Sequence, residues 1–359
     1  MIGAAPDECA DFITARMRVD GVPGLSVAVV TGGGLRWSAG FGLADLATWA
    51  PATPRTPYLW FSMTKIATAT AVVRLAEQGR LDLDGPVSAY YPPFAVVTRP
   101  RPITVRQLLS HSSGLANPVP IRWVYPAGSP PPDRRLFVER LVRRHSRPRT
   151  AARYSNLGYL VLGEVIAAVS GMPYEQYLRQ QVLAPLGMVN TGFGYADTGP
   201  HRPATGYQRL PKPLTPLLRA ALPAGIVAGR QDRYVAYHPF HVIGASYGGL
   251  VGGVTDAARL VQLHLAGGVI DCVRLLSEQA TVHMRHTIPR GGRTDFGLGW
   301  SHPHDRPTGP AFVEHLGGGS GFFSVMRLYP DRDLGVVLMG NTTRYDYQTI
   351  LDKIVNGAW

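Results

Sequence analysis

Apolar and polar positions follow two different periods along the chain, and the period changes where glycines and prolines cluster. Residues 7–20 have the spacing of an amphipathic helix that ends at Gly21. Residues 25–30 and 35–42 then predict two strands, and the three glycines at 32–34 predict the turn between them. The chain is therefore expected to begin with a helix followed by a β-hairpin.

The middle of the chain has helical periodicity, and its last quarter returns to strand patterns. The predicted helices are 61–77, 103–109 with a threonine cap, 157–170, 174–182, 255–266 and 347–356. The predicted strands are 297–300, 312–315, 321–329 and 334–339, the last two joined by a turn at 330–333. Residues 195–245 are rich in proline and apolar residues and show no regular pattern.

Strands at both ends with helices between them predict an α+β fold. We expect one antiparallel sheet built from both termini and flanked by helices, with an inserted helical lobe. Residues 1–60 and 247–359 would form the sheet domain, and 61–246 the mainly helical lobe. The functional site is expected between the two.

Composition is typical of a globular protein: of 359 residues, 45% are hydrophobic and 17% charged, enough for a large core. No run approaches the roughly 18 apolar residues of a membrane span, so no integral membrane segment is expected. The first residues lack the positive and apolar regions of an export signal, which favours a cytoplasmic protein, although a chain trimmed of such a signal would look the same. Cys9 and Cys272 are too few for a disulfide framework and lack metal-ligand spacing. We expect both to be buried, and we expect no metal or other cofactor.

The net charge of +12 raises the question of a nucleic-acid partner. All but three of the 36 basic residues are arginine, which resembles the codon bias of a GC-rich genome. One segment is locally dense, with Arg134, Arg135, Arg140, Arg143, Arg144, Arg147, Arg149 and Arg153. It has few interleaved aromatic residues and no nucleic-acid motif. We interpret it as a solvated basic face; the alternative is an electrostatic guide for anionic substrates or membrane surfaces.

Candidate chemistry begins with Ser62-Met63-Thr64-Lys65 at the front of the helix predicted over 61–77. A hydroxyl and an amine three residues apart lie on one face of a helix and can touch. Such an amine can take the hydroxyl proton and turn a weak nucleophile into one that attacks carbonyl groups. Lysine can lose its own proton inside a protein, whereas arginine effectively cannot.

Two further segments are candidates for the same site. Tyr154 and Asn156 precede the helix predicted from Leu157, where a Tyr-x-Asn pair presents a phenol and an amide on one side. His315, Leu316 and the glycines at 317–319 lie between two predicted strands, where glycines let a substrate approach the backbone. Alone, each segment has an ordinary structural explanation, namely a helix cap or a tight hairpin.

Together and in this order, the three segments resemble the serine β-lactamase and penicillin-binding protein superfamily. The similarity is greatest to its branch of class C β-lactamases, D-alanyl-D-alanine carboxypeptidases and family VIII carboxylesterases. It extends over nearly the whole chain, because residues 22–24, 103–115 and 182–188 are similar to framework segments of that branch. The resemblance implies a β-lactamase/transpeptidase-like fold with an acyl-enzyme mechanism.

The resemblance also implies residue roles. Ser62 matches the acylated nucleophile, Lys65 its proton partner, and Tyr154 the phenol that passes a proton to the leaving group. Asn156 matches the amide that binds a substrate carbonyl and helps to hold the lysine. The backbone N–H groups of Ser62 and Gly318 match the oxyanion hole. Whether Lys65 or Tyr154 is the general base stays open.

The third motif departs from the family pattern Lys-Thr-Gly, because it reads His315-Leu316-Gly317. An isobutyl group at Leu316 offers neither a charge nor a hydrogen bond to a substrate carboxylate. A competing nucleophile is Ser246, which fits the G-x-S-x-G elbow of α/β-hydrolases. The glycines that follow Ser246 are poor helix formers, which argues against that elbow.

Three functions remain in competition. A carboxylesterase acting on uncharged esters is favoured by Leu316 and by the apolar residues of 214–240, which could wall an acyl pocket. A D-alanyl-D-alanine carboxypeptidase or β-lactamase is favoured by the shared motifs and His315. A non-catalytic sensor or basic interaction protein is disfavoured by the intact Ser62, Lys65 and Tyr154. In the first two cases the partner is a small-molecule ester or amide.

Overall fold

The protein is organised around one eight-stranded sheet, seen here in a computed structural model that describes residues 4–97, 101–117, 123–145, 152–287, 294–304 and 309–359. Its strands are β1 (Gly24–Thr31), β2 (Gly34–Asp45), β3 (Ala50–Pro51), β4 (Thr294–Phe296), β5 (Ser301–Pro303), β6 (Val313–Gly319), β7 (Phe322–Tyr329) and β8 (Leu334–Gly340). In space they run β4-β5-β6-β7-β8-β1-β2-β3, and every neighbouring pair is antiparallel.

The sheet joins the two ends of the chain where β8 pairs with β1, from Leu25 opposite Gly340 to Val30 opposite Gly335. Strand β1 is apolar on both faces because both faces are covered. Leu25, Val27 and Val29 belong to one apolar cluster, which also contains residues of the first and last helices. Ala28 and Val30 belong to the main core on the other side. The period of two along the strand divides these side chains between the two layers.

The helices of eight or more residues are α1 (Ala4–Asp20), α2 (Thr64–Glu77), α3 (Arg134–Arg144), α4 (Asn156–Ser170), α5 (Val254–Leu265), α6 (Glu278–Arg285) and α7 (Tyr347–Val355). Short helices and turns lie at Phe61–Met63, Val87–Tyr90, Pro92–Val96, Val105–Leu109, Tyr174–Leu178, Arg179–Leu183, Tyr195–Thr198, Lys212–Leu214, Thr215–Ala221, Ala245–Gly248 and Pro330–Arg332. Short strands outside the sheet lie at Tyr58–Leu59, Val124–Pro126, Tyr207–Arg209, Val227–Gln231, Tyr234–Tyr237, Phe240–Val242, Val251–Gly252, Val269–Ile270 and Val273–Arg274. The α+β prediction is confirmed, and the division at residues 60 and 247 stays a prediction.

The structure differs from the sequence expectations in three places. Residues 297–300 are not a strand but the turn between β4 and β5, where Gly299 has a φ of +92°. Residues 195–245 are not irregular throughout, because Tyr207–Arg209, Val227–Gln231 and Tyr234–Tyr237 form a small antiparallel sheet. Cys272 is exposed rather than buried, at a left-handed position in a two-residue turn.

The basic segment is partly paired. Arg134 bonds to Glu164 at 2.9 Å and also to Glu175, which ties α3 to the helices behind it. Four further arginines of α3 are exposed, namely Arg135, Arg140, Arg143 and Arg144, and of these Arg135 bonds to Glu139 at 3.1 Å. Two of the expected residues, Arg147 and Arg149, lie outside the described residues.

Strand β6 packs directly on the turn that holds Ser62, and glycines make this possible. A Cβ at Gly317 would lie 2.1 Å from the carbonyl oxygen of Trp60, and one at Gly319 would lie 2.2 Å from the ring of Phe61. Strand β5 pairs with β6 through Ser301 and Glu314. The stretch of β6 beyond that pair faces the Ser62 turn.

We predict that Gly317→Ala lowers the free energy of unfolding by about 1–3 kcal/mol, because the added methyl group forces the strand away from the turn. The same displacement should slow the labelling of Ser62 by a fluorophosphonate. Gly229→Ala is the control, since a Cβ there meets nothing within 4 Å. Urea unfolding and labelling rates check both effects; wild-type values for Gly317→Ala would contradict the packing argument.

Candidate active site

Ser62 lies in a tight turn, Phe61–Met63, that leads into α2. The turn is anchored from behind, where the backbone N–H of Trp60 donates to the oxygen of Leu250 at 2.8 Å and its indole N–H donates to the oxygen of Gly252 at 3.1 Å. Phe61 has a φ of +46°, a strained value for a side chain of this size. Ser62 is partly exposed between two buried neighbours, at the helix end where the dipole favours developing negative charge.

Lys65 is fully buried, and its amine touches the serine. Nζ lies 2.9 Å from Oγ of Ser62 and donates to the backbone oxygen of Tyr247, also at 2.9 Å. The rings of Tyr154, Tyr159 and Tyr247 surround Nζ at 5.0–5.5 Å. Burial lowers the pKa of Lys65 well below its usual value, since no carboxylate in the described part of the chain pairs with it. The predicted contact between the first and last residues of S-x-x-K is therefore present.

The Tyr154 ring lies beside the Ser62–Lys65 pair, with its centroid 5.0 Å from Nζ of Lys65. Burial raises the pKa of its phenol above the usual value, and the nearby Ser62 side chain lowers it by a smaller amount. His111 stacks on the Tyr154 ring at 4.3 Å and accepts a hydrogen bond from the backbone N–H of Ser155 at 3.0 Å. The side chain of Asn117 donates to the oxygen of Tyr154 at 3.3 Å. Sequence analysis assigned no role to His111 or Asn117, although residues 103–115 had been recognised as framework.

Asn156 is buried at the first turn of α4, and its backbone N–H donates to Oδ1 of Asn117 at 2.6 Å. Its own Oδ1 has no hydrogen-bond partner among the described residues. The expected contact of Asn156 with Lys65 is not present in this structure, where Nζ lies 2.9 Å from Oγ of Ser62 and 2.9 Å from the oxygen of Tyr247. A backbone oxygen supplies that contact, and no sequence motif identifies a backbone oxygen.

His315 is buried beside Tyr154, with ring centroids 6.1 Å apart. Nδ1 lies 2.8 Å from the oxygen of Leu316, which can only accept, so we assign the proton to Nδ1. Burial, together with the nearby Lys65, lowers the pKa of His315 to about 3. Nε2 is then an acceptor, and it has no partner in the described ranges. A neutral imidazole thus stands where the family pattern has a lysine.

The next two residues of the third motif lie on opposite faces of β6. Leu316 is half-buried against the apolar cluster beneath α1 and α7, while Gly317 packs on the Ser62 turn. Gly318 is exposed, opposite Phe323 of β7. The structure therefore brings the segments of Ser62, Tyr154 and His315 together. The oxyanion-hole assignment of the Ser62 and Gly318 N–H groups stays a prediction.

A cavity of about 370 Å³ opens beside Tyr154. Its described lining comprises Tyr154, Thr294, Phe296, Ser301, Pro303, Glu314, His315, Leu316, Tyr347 and Gln348, with no Lys or Arg. The carboxylate of Glu314 is bound to the buried Arg327 at 2.6 and 2.9 Å. A larger cavity of about 660 Å³ lies between α1, β2 and the hairpin at 227–237, but none of its lining residues belongs to the three motifs. We therefore place the site at the smaller cavity.

Within the described ranges, no group of three or more His, Cys, Asp or Glu side chains could hold a metal ion. No single described helix has both the length and the apolar composition of a membrane span. The helices at Asn156–Ser170 and Tyr174–Leu183 meet both criteria only when taken together across a 77° bend.

Known proteins resemble this chain along nearly its full length. The protein flp of Staphylococcus aureus (strain N315) is 26% identical over 325 residues, which is 89% of this chain and 60% of that protein. The chain thus spans about 60% of the length of this curated relative.

Among solved structures, SurE is 30% identical with a TM-score of 0.75, over 98% of this chain and 75% of that one. The D-amino acid amidase of Ochrobactrum anthropi SV3 is 24% identical with a TM-score of 0.79, over 98% of each chain. Other structures of the same fold include a β-lactamase/D-alanine carboxypeptidase and the hydrolase EstCE1. The Beta-lactamase family model matches residues 9–354. The chain belongs to the Beta-lactamase family.

Proposed function

We propose that this protein is a serine hydrolase that forms an acyl-enzyme on Ser62 and acts on uncharged esters. The observation that carries the substrate class is the cavity beside Tyr154, whose described lining contains no cation. Substrates of carboxypeptidases and β-lactamases bear a carboxylate that must lose water on binding. An unpaired buried charge costs several kcal/mol, so such substrates are disfavoured here.

Lys65 is the proposed general base for acylation. Burial lowers the pKa of this amine well below its usual value and so favours the neutral form, which has one lone pair and two N–H groups. One N–H donates to the Tyr247 oxygen, and the lone pair accepts the Oγ proton of Ser62 as Oγ attacks the ester carbonyl. The raised pKa of Tyr154 keeps its phenol protonated, so the phenol is not the base in the resting site.

Tyr154 is the proposed donor to the leaving group. Its phenol gives a proton to the departing alkoxide and regains one from Lys65, which restores the neutral amine. The tetrahedral oxygen would bind the N–H groups of Ser62 and Gly318, where fixed donors stabilise charge that develops in the transition state. Water then attacks the acyl-enzyme by the reverse proton transfers and releases the acid.

A second candidate substrate is an amide or ester whose acyl part carries an N–H group. Oδ1 of Asn156 and Nε2 of His315 are buried acceptors that have no hydrogen-bond partner in the described part of the chain, and a substrate N–H would relieve the cost of leaving them unpaired. A structure of SurE, 29% identical to this chain, is described as a complex with D-Leu. An aminoacyl amide is therefore the alternative that the site chemistry favours most.

We expect a fluorophosphonate to label one residue, Ser62, because Lys65 activates its hydroxyl. Intact-mass analysis and peptide mapping should show a single adduct that is lost in Ser62→Ala. Ser246→Ala is the matched control and should be labelled at the wild-type rate. Labelling and hydrolysis that persist in Ser62→Ala but disappear in Ser246→Ala would overturn the assignment.

Hydrolysis should fall at acid pH as Lys65 becomes protonated. Burial lowers the pKa of this amine, so activity rises with pH through that depressed value and is level above it. Lys65→Arg and Lys65→Met should both lose about 10²–10⁴-fold in kcat/KM, because arginine keeps the charge but cannot accept the proton. A tenth of wild-type activity in Lys65→Arg would mean that Lys65 acts as a positive charge. The measurement is kcat/KM as a function of pH for the wild type and both variants.

Substrate choice should depend on position 316. We expect the wild type to prefer p-nitrophenyl butyrate to nitrocefin and to a D-Ala-D-Ala peptide. Leu316→Thr should raise kcat/KM for the two carboxylate-bearing substrates relative to the ester. Leu316→Val should not, because valine has the shape of threonine but lacks its hydroxyl. A D-amino acid p-nitroanilide tests the second candidate. If the wild type hydrolyses the peptide or nitrocefin better than the ester, the esterase proposal is wrong.

A further inference from the structure

The G-x-S-x-G segment does not serve as a nucleophile elbow in this structure. Ser246 is 1% exposed, and its Oγ has no hydrogen-bond partner among the described residues. The side chain packs against Gly163 of α4, where an added Cβ would lie 2.5 Å from Oγ. A buried hydroxyl without a base cannot attack a substrate, so the segment needs another explanation.

The backbone of this segment runs along the first turns of α2 and meets three of its side chains. The oxygen of Tyr247 accepts from Nζ of Lys65 at 2.9 Å. The oxygen of Ser246 accepts from Oγ1 of Thr68 at 2.7 Å. Two residues beyond the short helix, the N–H of Leu250 donates to Oγ1 of Thr64 at 3.2 Å. The helix that carries Lys65 is thus bonded to the segment that supplies its acceptor.

Thr68 is the centre of this arrangement. Its hydroxyl is fully buried and lies 2.8 Å from the hydroxyl of Tyr174. Oγ1 has one proton, and the carbonyl oxygens near it, that of Ser246 at 2.7 Å and that of Thr64 at 3.3 Å, can only accept it. The shorter contact is the main bond, so the Tyr174 hydroxyl must be the donor to Oγ1. Tyr174, Thr68 and the Ser246 oxygen therefore form one directed chain of hydrogen bonds that ends next to the Tyr247 oxygen.

We propose that Thr68 is a positioning residue for Lys65: by fixing the Ser246–Tyr247 backbone, it aims the lone pair of Nζ at Ser62. A displacement of about 1 Å at a reacting group can cost about 100-fold in rate, so a hydrogen bond one residue away matters. The titratable groups that face Nζ are Tyr154, Tyr159, Tyr247 and His315. None of them makes the Thr68 bond, which can therefore be tested separately. The inference rests on the proposed role of Ser62 and Lys65.

The test compares Thr68→Val, Thr68→Ser and Thr70→Val. Valine keeps the shape of threonine but loses the hydroxyl, and serine restores it. Thr70 is the matched control, a buried threonine of α2 whose hydroxyl donates to the oxygen of Ile66 at 2.9 Å and makes no contact with the Ser246 segment. The readout is the rate of Ser62 labelling by a fluorophosphonate between pH 5 and pH 10, with thermal unfolding measured in parallel. It needs no knowledge of the natural substrate.

We expect Thr68→Val to slow labelling by about 10- to 100-fold and to move the acid limb of its pH profile, with Thr68→Ser within about threefold of the wild type. Thr70→Val should keep the wild-type profile even if it unfolds at a lower temperature. Tyr174→Phe, which removes the donor to Thr68, should move the profile in the same direction. It replaces Thr68→Val as the test if that variant does not fold. An unchanged profile in the folded variant overturns this inference. Absence of Ser62 labelling in the wild type overturns the proposed function instead.

Discussion

The proposed chemistry depends on one buried amine, that of Lys65, which pairs with no carboxylate among the described residues. A charge in that position would cost several kcal/mol, so burial lowers the pKa of Lys65. The neighbours of Nζ are the Ser62 hydroxyl, the Tyr247 carbonyl and three tyrosine rings. The three tyrosines around Nζ come from distant parts of the chain. Tyr154 precedes α4, Tyr159 lies within α4, and Tyr247 comes 88 residues after Tyr159. The site therefore forms only when these distant segments have packed around α2.

The close approach of β6 to the Ser62 turn is the second constraint. It accounts for two local features, a strained backbone in the turn and a glycine in the strand. Phe61 keeps a left-handed backbone, a strain of about 1–3 kcal/mol, because the bonds of Trp60 on one side and α2 on the other determine its position. The glycine at 317 leaves room for the Trp60 carbonyl. The proposed oxyanion hole depends on this approach, because it requires the N–H of Gly318 to lie beside the N–H of Ser62.

Sequence reasoning succeeded where the signal is local. The S-x-x-K spacing, the threonine cap at Thr104 and the terminal hairpins all depend on neighbours within a few residues, and the structure contains each of them. It failed where the deciding contact is remote or made by backbone. The alternation of Gly297–Trp300 imitates a strand, but a left-handed glycine makes it a turn. The acceptor of Lys65 is a backbone carbonyl inside the G-x-S-x-G motif. That motif directs attention to the side chain of its serine, whereas the contact is made by the backbone.

The net charge and the site chemistry act at different ranges. A charge of +12 with exposed arginines on α3 attracts anions, but over a distance of about 8 Å at physiological ionic strength. A carboxylate that enters the cavity exchanges its water for a neutral imidazole, an isobutyl group and a glutamate already bound to Arg327. Attraction at the surface raises the rate of encounter and leaves that exchange unfavourable. The proposed selectivity against carboxylates therefore depends on desolvation at His315 and Leu316 and not on the basic surface.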